Sequence, residues 1–211
     1  MVRPVPETPP PAPAPAQRLS REILVDAGIE LLCSEGLDAI SLRKIAARLG
    51  VRAPSLYWHV PDKATLLADM MEKIFAQSLA SVPALRHWPA WMRAFGEALW
   101  HTQDGVRDFA RLLVTTTLDE TRIARTELRL RAAMAELDLP LEEALRIQGS
   151  VQVLVTGWSI FAHTPFSPAL SRRMDFRARA MHDLDLLLAG EARQLAQRGA
   201  PAPQSSGATT S

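Results

Sequence analysis

The sequence predicts an all-α protein with an N-terminal three-helix unit followed by a larger helical bundle. Apolar residues recur at helical spacing along nearly the whole chain, and no segment shows the alternation expected of a half-buried strand. Glycines and prolines stand where successive helices are expected to end or begin. A chain of 211 residues allows one or two small domains with a substantial core.

Composition divides the chain into four segments. Residues 1–17 are rich in proline and alanine and lack the apolar stretch of a signal peptide, so we expect an extended, disordered tail. Residues 18–64 are predicted to form the three-helix unit, and residues 65–198 the bundle. Residues 199–211 are predicted to be a second disordered tail.

The first helix is predicted from about Ser20 to Ser34, with Gly36 as its C-terminal stop. Its LLCSEG segment holds the single cysteine, Cys33, which we expect on the buried face of the helix. One cysteine excludes an internal disulfide, and this fits a reducing cytoplasm.

Two short helices and a tight turn follow. Ser41 is a good N-cap for a helix whose apolar residues continue to Leu49. Gly50 can end that helix in a left-handed conformation, and Pro54 suits the first turn of the next. Ala46, Gly50 and Leu56 have the spacing of a helix-turn-helix unit.

The charge pattern of this unit is polarised. Residues 39–63 contain five basic residues and one acidic residue, a net of +4, whereas residues 19–38 contain one basic and five acidic residues, a net of −4. The basic residues alone would fit an ordinary solvated helix face, but the turn, the proline and the aromatic run Tyr57-Trp58-His59 coincide with them. We therefore predict contact with duplex DNA. The candidate residues are Ser41, Arg43, Lys44, Arg52, Ala53, Pro54, Ser55, Tyr57, Trp58, His59 and Lys63.

Six further helical segments are predicted. Asp62 can cap a fourth helix that ends near Ser81, and Pro165 and Pro168 are predicted to lie in a loop. Residues 147–171 contain no charged side chain, but their glutamines, histidine and prolines argue against a membrane span and favour a helix buried in protein. The later helices are predicted at about 87–102, 106–116, 120–137, 141–163 and 172–197.

The eighth and last helices carry apolar stripes that one subunit cannot easily cover. We therefore expect a twofold homodimer in which these helices form a four-helix bundle. The alternative is that both stripes pack inside one subunit. The candidate interface residues are Val151, Val155, Phe161, Leu184, Leu187 and Leu188.

The bundle also holds four of the five tryptophans and a stripe of uncharged polar residues on its eighth helix. Large apolar side chains with a few polar groups are typical of a small-molecule site, so a pocket among them is favoured, although core packing is favoured for each residue singly. The candidate ligand-binding residues are Trp91, Phe95, Trp100, Phe109, Leu112, Met134, Gln148, Gln152 and Trp158.

No catalytic or cofactor motif is found: the chain lacks a glycine-rich phosphate loop, HExxH and GxSxG. His101, Asp104 and Asp108 could suggest a metal site, but Gly105 interrupts their helix and a solvated polar cluster is favoured. The rival hypothesis is an all-helical small-molecule carrier or enzyme whose N-terminal helices are structural.

Residues 19–75 resemble the DNA-binding domain of the tetracycline-repressor (TetR) family of bacterial transcription factors. The resemblance rests on AGIELLCSEGLDAISLRKIAARLGVRAPSLYWHVPDKATLLADM, within which SLYWHVPDK is especially specific. It implies a cytoplasmic repressor that binds a palindromic operator as a homodimer and is released by a small effector. It also implies that Arg43 and residues 52–59 contact bases and phosphates, with Tyr57 and Lys63 on the phosphate backbone.

From His87 to about Leu195, the chain is more weakly similar to the ligand-binding domain of the tetracycline repressors. Phe95 matches an aromatic pocket position of those proteins. Phe109 and Trp91, however, fall where they use a histidine and an asparagine towards their magnesium-bound drug. The resemblance therefore implies an apolar or aromatic effector other than magnesium–tetracycline.

Overall fold

The computed structural model describes residues 19–199, so the predicted tails lie outside it apart from Gly199. Within this range the chain forms ten α-helices, one more than the nine predicted, and no strand, so the all-α class is confirmed. The helices are α1 (Arg21–Glu35), α2 (Leu42–Arg48), α3 (Ala53–Leu56), α4 (Lys63–Ala80), α5 (Trp88–Gly105), α6 (Phe109–Thr115), α7 (Glu120–Met134), α8 (Leu141–Ala162), α9 (Ser167–Leu170) and α10 (Phe176–Gly199).

The predicted caps and turns of the first helices are confirmed. Ser41 Oγ accepts a hydrogen bond from the Lys44 amide at 3.2 Å and so starts α2. Gly36 ends α1 at a φ of 87°, and Gly50 lies between α2 and α3 at a φ of 67°. Residues that carry a side chain rarely adopt such positive φ values. These local features fix the angles between α1, α2 and α3.

Two apolar cores hold the helices together. The first core packs α1 to α4 around fully buried residues such as Leu24, Ile45 and Leu56. It continues along α4 as far as Ile74 and includes Phe109 of α6, beyond the boundary predicted at residue 64. The second core packs α5, α7, α8 and α10.

The apolar stripes of α8 and α10 face the second core. Gly96 of α5 brings α10 so close that a Cβ there would lie 2.4 Å from Leu184 Cδ2. The predicted interface is corrected accordingly, since α8 and α10 cover each other and α5 within one chain. Val151, Val155, Leu184 and Leu188 are buried inside the subunit, and Phe161 and Leu187 are half-buried.

Two other predictions are wrong. Cys33 is exposed, because Leu31 and Leu32 take the buried face of α1 and the next residue is rotated about 100° away from it. The proline-containing loop after α8 folds into the short helix α9. Within residues 19–199, no helix combines the length and apolarity needed to cross a membrane.

Candidate nucleic-acid interface and ligand cavity

The predicted DNA-contacting residues remain accessible around α2, α3 and the start of α4, and none of the eleven is buried. Leu56 anchors the short α3 in the first core, and its carbonyl oxygen accepts 2.9 Å bonds from the amides of His59 and Val60. The neighbouring aromatic side chains point outwards: Tyr57 is 56% exposed and Trp58 is 91% exposed. A large apolar surface this exposed suits a binding partner.

Acidic residues of α1 neutralise part of this surface. Lys44 Nζ lies 2.9 Å from a Glu35 oxygen, and Arg48 Nη2 lies 3.2 Å from one of Glu30. The hydrogen bond from Lys44 lowers the pKa of Glu35. Among the described residues, Arg43, Arg52 and Lys63 have no acidic partner within 4 Å. These three cations remain available for phosphates.

Helix α4 links this surface to the interior of the protein. Asp62 caps it by accepting a 2.7 Å hydrogen bond from the Thr65 amide, and this bond lowers the pKa of the carboxyl. The helix has 18 residues and so spans about 27 Å. Its last turns line a cavity.

The cavity has a volume of about 460 Å³ and lies between α4, α5, α6, α7 and α8. This volume falls in the usual range for small-molecule sites. Most of its wall is apolar, with Phe75, Leu99 and Ile160 among the lining residues. Two of the nine predicted ligand-binding residues, Phe109 and Gln152, line it.

The other seven predicted ligand-binding residues do not line this cavity, and the structure favours a packing role for them. Trp91 and Phe95 stack on each other inside the second core, with ring centroids 5.4 Å apart. Trp158 lies on the outer side of α8 and donates a 3.1 Å hydrogen bond to Asp183. Four more are buried away from the cavity: Trp100, Leu112, Met134 and Gln148.

Sequence reasoning missed two buried polar residues in the cavity wall. Ser78 is 1% exposed and Gln103 is 4% exposed. The Gln103 amide donates to Thr156 Oγ1 at 2.9 Å, whereas Gln103 Oε1 and Ser78 Oγ have no partner among the described residues. A signal was available, since each lies four residues after a buried apolar residue of its helix.

An ion cluster joins the first three helices to the bundle. The Asp69 carboxylate on α4 accepts bonds of 2.7 and 2.8 Å from Arg21 of α1, and one of 2.8 Å from Arg122 of α7. Asp69 and Arg122 are both buried. Burial alone would raise the pKa of Asp69, but the bonds from Arg21 and Arg122 outweigh it and the pKa is lowered.

The turn between α5 and α6 provides a second junction. Asp108 adopts a left-handed conformation, with a φ of 56°, and accepts a 2.9 Å hydrogen bond from the Leu37 amide. Arg111 binds Asp38 through both carboxylate oxygens, at 2.8 and 3.1 Å. Asp108 therefore serves as a structural contact. No group of three potential metal-binding side chains occurs within the described part of the chain.

A helix-turn-helix unit joined to a helical bundle with an internal cavity is typical of DNA-binding regulators that respond to a small molecule. Comparison with known proteins identifies the family. The sequence profile of "Bacterial regulatory proteins, tetR family" matches residues 24–70. The chain is 34% identical over 146 residues to tetracycline repressor protein class D of Escherichia coli, covering 66% of this chain and 65% of that one. It thus spans just under two thirds of that relative.

The class E tetracycline repressor of Escherichia coli is 32% identical over 147 residues, which cover 66% of this chain and 67% of the relative. A variant of TetR from Acinetobacter baumannii AYE, in complex with minocycline, is 26% identical with a TM-score of 0.63 over 84% of this chain and 98% of that one. ActR of Streptomyces coelicolor, in complex with (S)-DNPA, shares the fold with a TM-score of 0.64 at 20% identity, over 84% and 99% of the two chains. The chain belongs to the tetR family of bacterial regulatory proteins.

Proposed function

We propose that the protein is a transcriptional repressor that binds a palindromic operator as a homodimer and releases it when a small apolar or aromatic effector occupies the cavity. One observation carries the proposal: the cavity and the first core share a wall. Met71, Ile74 and Phe109 line the cavity and are also buried members of the first core. A ligand that moves these side chains must disturb the packing beneath α1 to α3.

The proposed DNA contacts divide into two groups. Arg43 and the outward side chains from Arg52 to His59, apart from Tyr57, are assigned to the major groove, where a helix-turn-helix presents its second helix. Tyr57 and Lys63 are assigned to the phosphate backbone. The exposure of these residues and the absence of acidic partners for Arg43, Arg52 and Lys63 among the described residues support this assignment.

The dimer face is reassigned to the outer side of α8 and α10. Leu154, Gly157, Trp158 and Phe161 surround a shallow apolar groove on α8. The bond from Trp158 to Asp183 ties this face to α10, where Gly190 has open space around its Cβ position. A second copy of the chain is the proposed occupant. Such a dimer would place two α3 helices on successive major-groove faces, roughly 34–36 Å apart.

Release of DNA is proposed to start at α4 and α6. Phe109 contacts the cavity directly after Asp108, whose carboxylate holds the Leu37 amide. An effector that displaces Phe109 would therefore move the connection between α1 and α2, which contains Leu37. A tilt of α4 would change the distance between the two α3 helices of the dimer. Coupling is reciprocal, so operator DNA must weaken effector binding by the same factor.

We further propose a cytoplasmic regulator that performs no catalysis and needs no cofactor. The two Escherichia coli relatives are named as repressor proteins. No observation favours the alternative of a carrier or enzyme. Such a protein would bind its ligand equally well with and without duplex DNA.

DNA binding is tested by fluorescence anisotropy with duplexes from the region upstream of the protein's own gene, over a range of salt concentrations. Affinity should fall steeply as salt rises. Arg43→Ala should weaken specific binding by about tenfold, and Lys63→Ala should weaken all sequences about equally and lower the salt slope by about one. An altered base preference in Lys63→Ala would contradict its assignment to phosphate.

The dimer face is tested by sedimentation of Leu154→Arg, with Leu128→Arg as the matched control. Leu154 is a half-buried residue at the proposed face, whereas Leu128 is 68% exposed on α7. The Leu154 variant should be monomeric and bind operator poorly, and the Leu128 variant should remain dimeric. A charge at Val155 or Leu188 would be a poorer test, because it would be buried inside the subunit. Dimeric Leu154→Arg would overturn the proposed face.

A further inference from the structure

We propose that the cavity binds a neutral, mainly apolar molecule that presents an O–H or N–H donor to Gln103. This inference rests on the proposed function, since it names the chemical class of the effector that the function requires. Among the described residues, Gln103 Oε1 and Ser78 Oγ in the cavity wall have no hydrogen-bond partner, and they indicate which groups a ligand must supply.

The apolar wall sets the body of the ligand. Residues from five helices enclose about 460 Å³, and the side chains of Met71, Phe75 and Phe109 form part of the surface. A ligand gains free energy here by removing its own apolar area and that of the wall from water. The two phenylalanines favour an aromatic body, because ring pairs add attraction beyond the burial of area.

Gln103 sets the polar end. Its Nε2 donates to Thr156 Oγ1 at 2.9 Å, so Oε1 is turned away from Thr156. Its Oε1 is buried without a hydrogen-bond donor among the described residues. An unsatisfied buried oxygen costs free energy, so a ligand that supplies an O–H or N–H gains more at this position than one that supplies only an acceptor. Ser78 Oγ, which is also buried and has no hydrogen-bond partner within residues 19–199, is available to a second polar atom.

The charges around the cavity exclude an anion. Among the residues that the structure describes, Glu72 is the only ionisable one in the lining, and its carboxylate is already bound by Arg125 at 2.9 Å and Arg129 at 2.8 Å. Within residues 19–199, no cationic side chain lines the cavity to replace the water that an anionic ligand would lose. Because burial of an unpaired charge is strongly unfavourable, the ligand is expected to be neutral.

The test measures direct binding of three biphenyl probes to the full-length protein without DNA, by isothermal titration calorimetry at neutral pH. The phenol para-phenylphenol offers a donor, para-methoxybiphenyl offers only an acceptor, and biphenyl para-carboxylate carries a negative charge. The wild-type protein should bind the phenol at least about tenfold more tightly than the ether, and should bind the carboxylate more weakly still.

A comparison of Gln103→Leu with the matched variant Gln152→Leu tests whether the preference for a hydrogen-bond donor depends on Gln103. Both glutamines line the cavity, but Gln152 Oε1 already accepts a 2.7 Å bond from Gln148. The preference for phenol over ether should fall to within about twofold in Gln103→Leu and should persist in Gln152→Leu. Thermal melting of each variant verifies that it is folded.

The inference is overturned if the wild-type protein binds none of the probes, if it does not prefer the phenol, or if Gln103→Leu keeps the full preference. Failure of the proposed function would look different. In that case the phenol would bind with the expected dependence on Gln103 but would leave the affinity for operator DNA unchanged.

Discussion

The two sides of the helical bundle are packed in different ways. On one side, α5, α8 and α10 meet through apolar contacts so close that Gly96 leaves no room for a side chain beside Leu184. On the other side, α4, α6 and α7 face α5 and α8 across the cavity. They meet the first helices through ion pairs centred on Asp69 and through the bond from Leu37 to Asp108.

This difference assigns separate mechanical roles to the two sides. A close-packed apolar interface resists displacement, since a core at this density does not tolerate even a change in volume of one methylene group without a cost in free energy. Side chains that line a cavity have room to move, so the α4–α6–α7 side can shift at lower cost. The α5–α8–α10 side is therefore suited to hold a fixed subunit interface, and the α4–α6–α7 side to transmit ligand binding to the helix-turn-helix unit.

The largest effect on stability is expected from Asp69→Ala. This change leaves the buried Arg122 guanidinium without its partner on α4, and loss of one member of a buried ion pair costs about 3–5 kcal/mol. Chemical denaturation measures the change. The matched control is Asp185→Ala, which removes an exposed pair with Arg93 on the other side of the bundle and should cost at most about 1 kcal/mol. Equal losses would contradict the structural role of the Asp69 cluster.

Gly96→Ala should destabilise the protein by about 1–3 kcal/mol, because the new methyl group overlaps the Leu184 side chain in a filled core. Alanine normally stabilises a helix relative to glycine. Gly105→Ala, on the same helix with open space around it, should therefore leave the free energy of unfolding unchanged or slightly higher. If both variants behave alike, the α5–α10 contact is looser than described.

Ser78→Ala should raise the free energy of unfolding by about 1 kcal/mol in the absence of ligand. The hydroxyl is buried without a partner among the described residues, so its removal relieves a desolvation cost. Thr115→Ala is a suitable control, since that exposed hydroxyl donates a 2.7 Å bond to the Arg111 carbonyl oxygen. A loss of stability in Ser78→Ala would mean that the hydroxyl is hydrogen-bonded in solution.

The smallest expected effect is a change in the contribution of Asp69 to the free energy of unfolding at acidic pH. Because the pKa of Asp69 is lowered in the folded protein, its ionised form stabilises the fold at pH values above the ordinary carboxyl pKa of about 3.9. That contribution is lost as the pH falls through the lower folded pKa. The difference in unfolding free energy between wild type and Asp69→Asn should therefore narrow below about pH 4. A constant difference down to acid would show that the charge of Asp69 does not matter.

Local features were predictable from the sequence, and long-range ones were not. The caps at Ser41 and Asp62 and the turns at Gly36 and Gly50 depend on neighbouring residues, so composition and spacing sufficed. Helix α8 is apolar on more than one side, and periodicity cannot say whether Val151 faces α5 or a second subunit. The same limit applies to the cavity: two of the predicted ligand-binding residues, Phe109 and Gln152, line it, whereas Ser78 and Gln103 were missed.

The proposed release of DNA requires coupling between the cavity and the DNA-binding surface, and two substitutions at one position test this coupling most directly. Ser78→Leu places apolar volume at the cavity wall without any ligand, whereas Ser78→Ala removes the hydroxyl and adds no volume. Both variants are titrated against the operator duplex at fixed salt. Ser78→Leu, while folded and dimeric, should bind the duplex at least about fivefold more weakly than the wild type, which is the lower end of typical coupling free energies. Ser78→Ala should stay within about twofold of the wild-type affinity. Wild-type affinity in Ser78→Leu, or no duplex binding by the wild-type protein, would contradict the proposed coupling between the cavity and the DNA-binding surface.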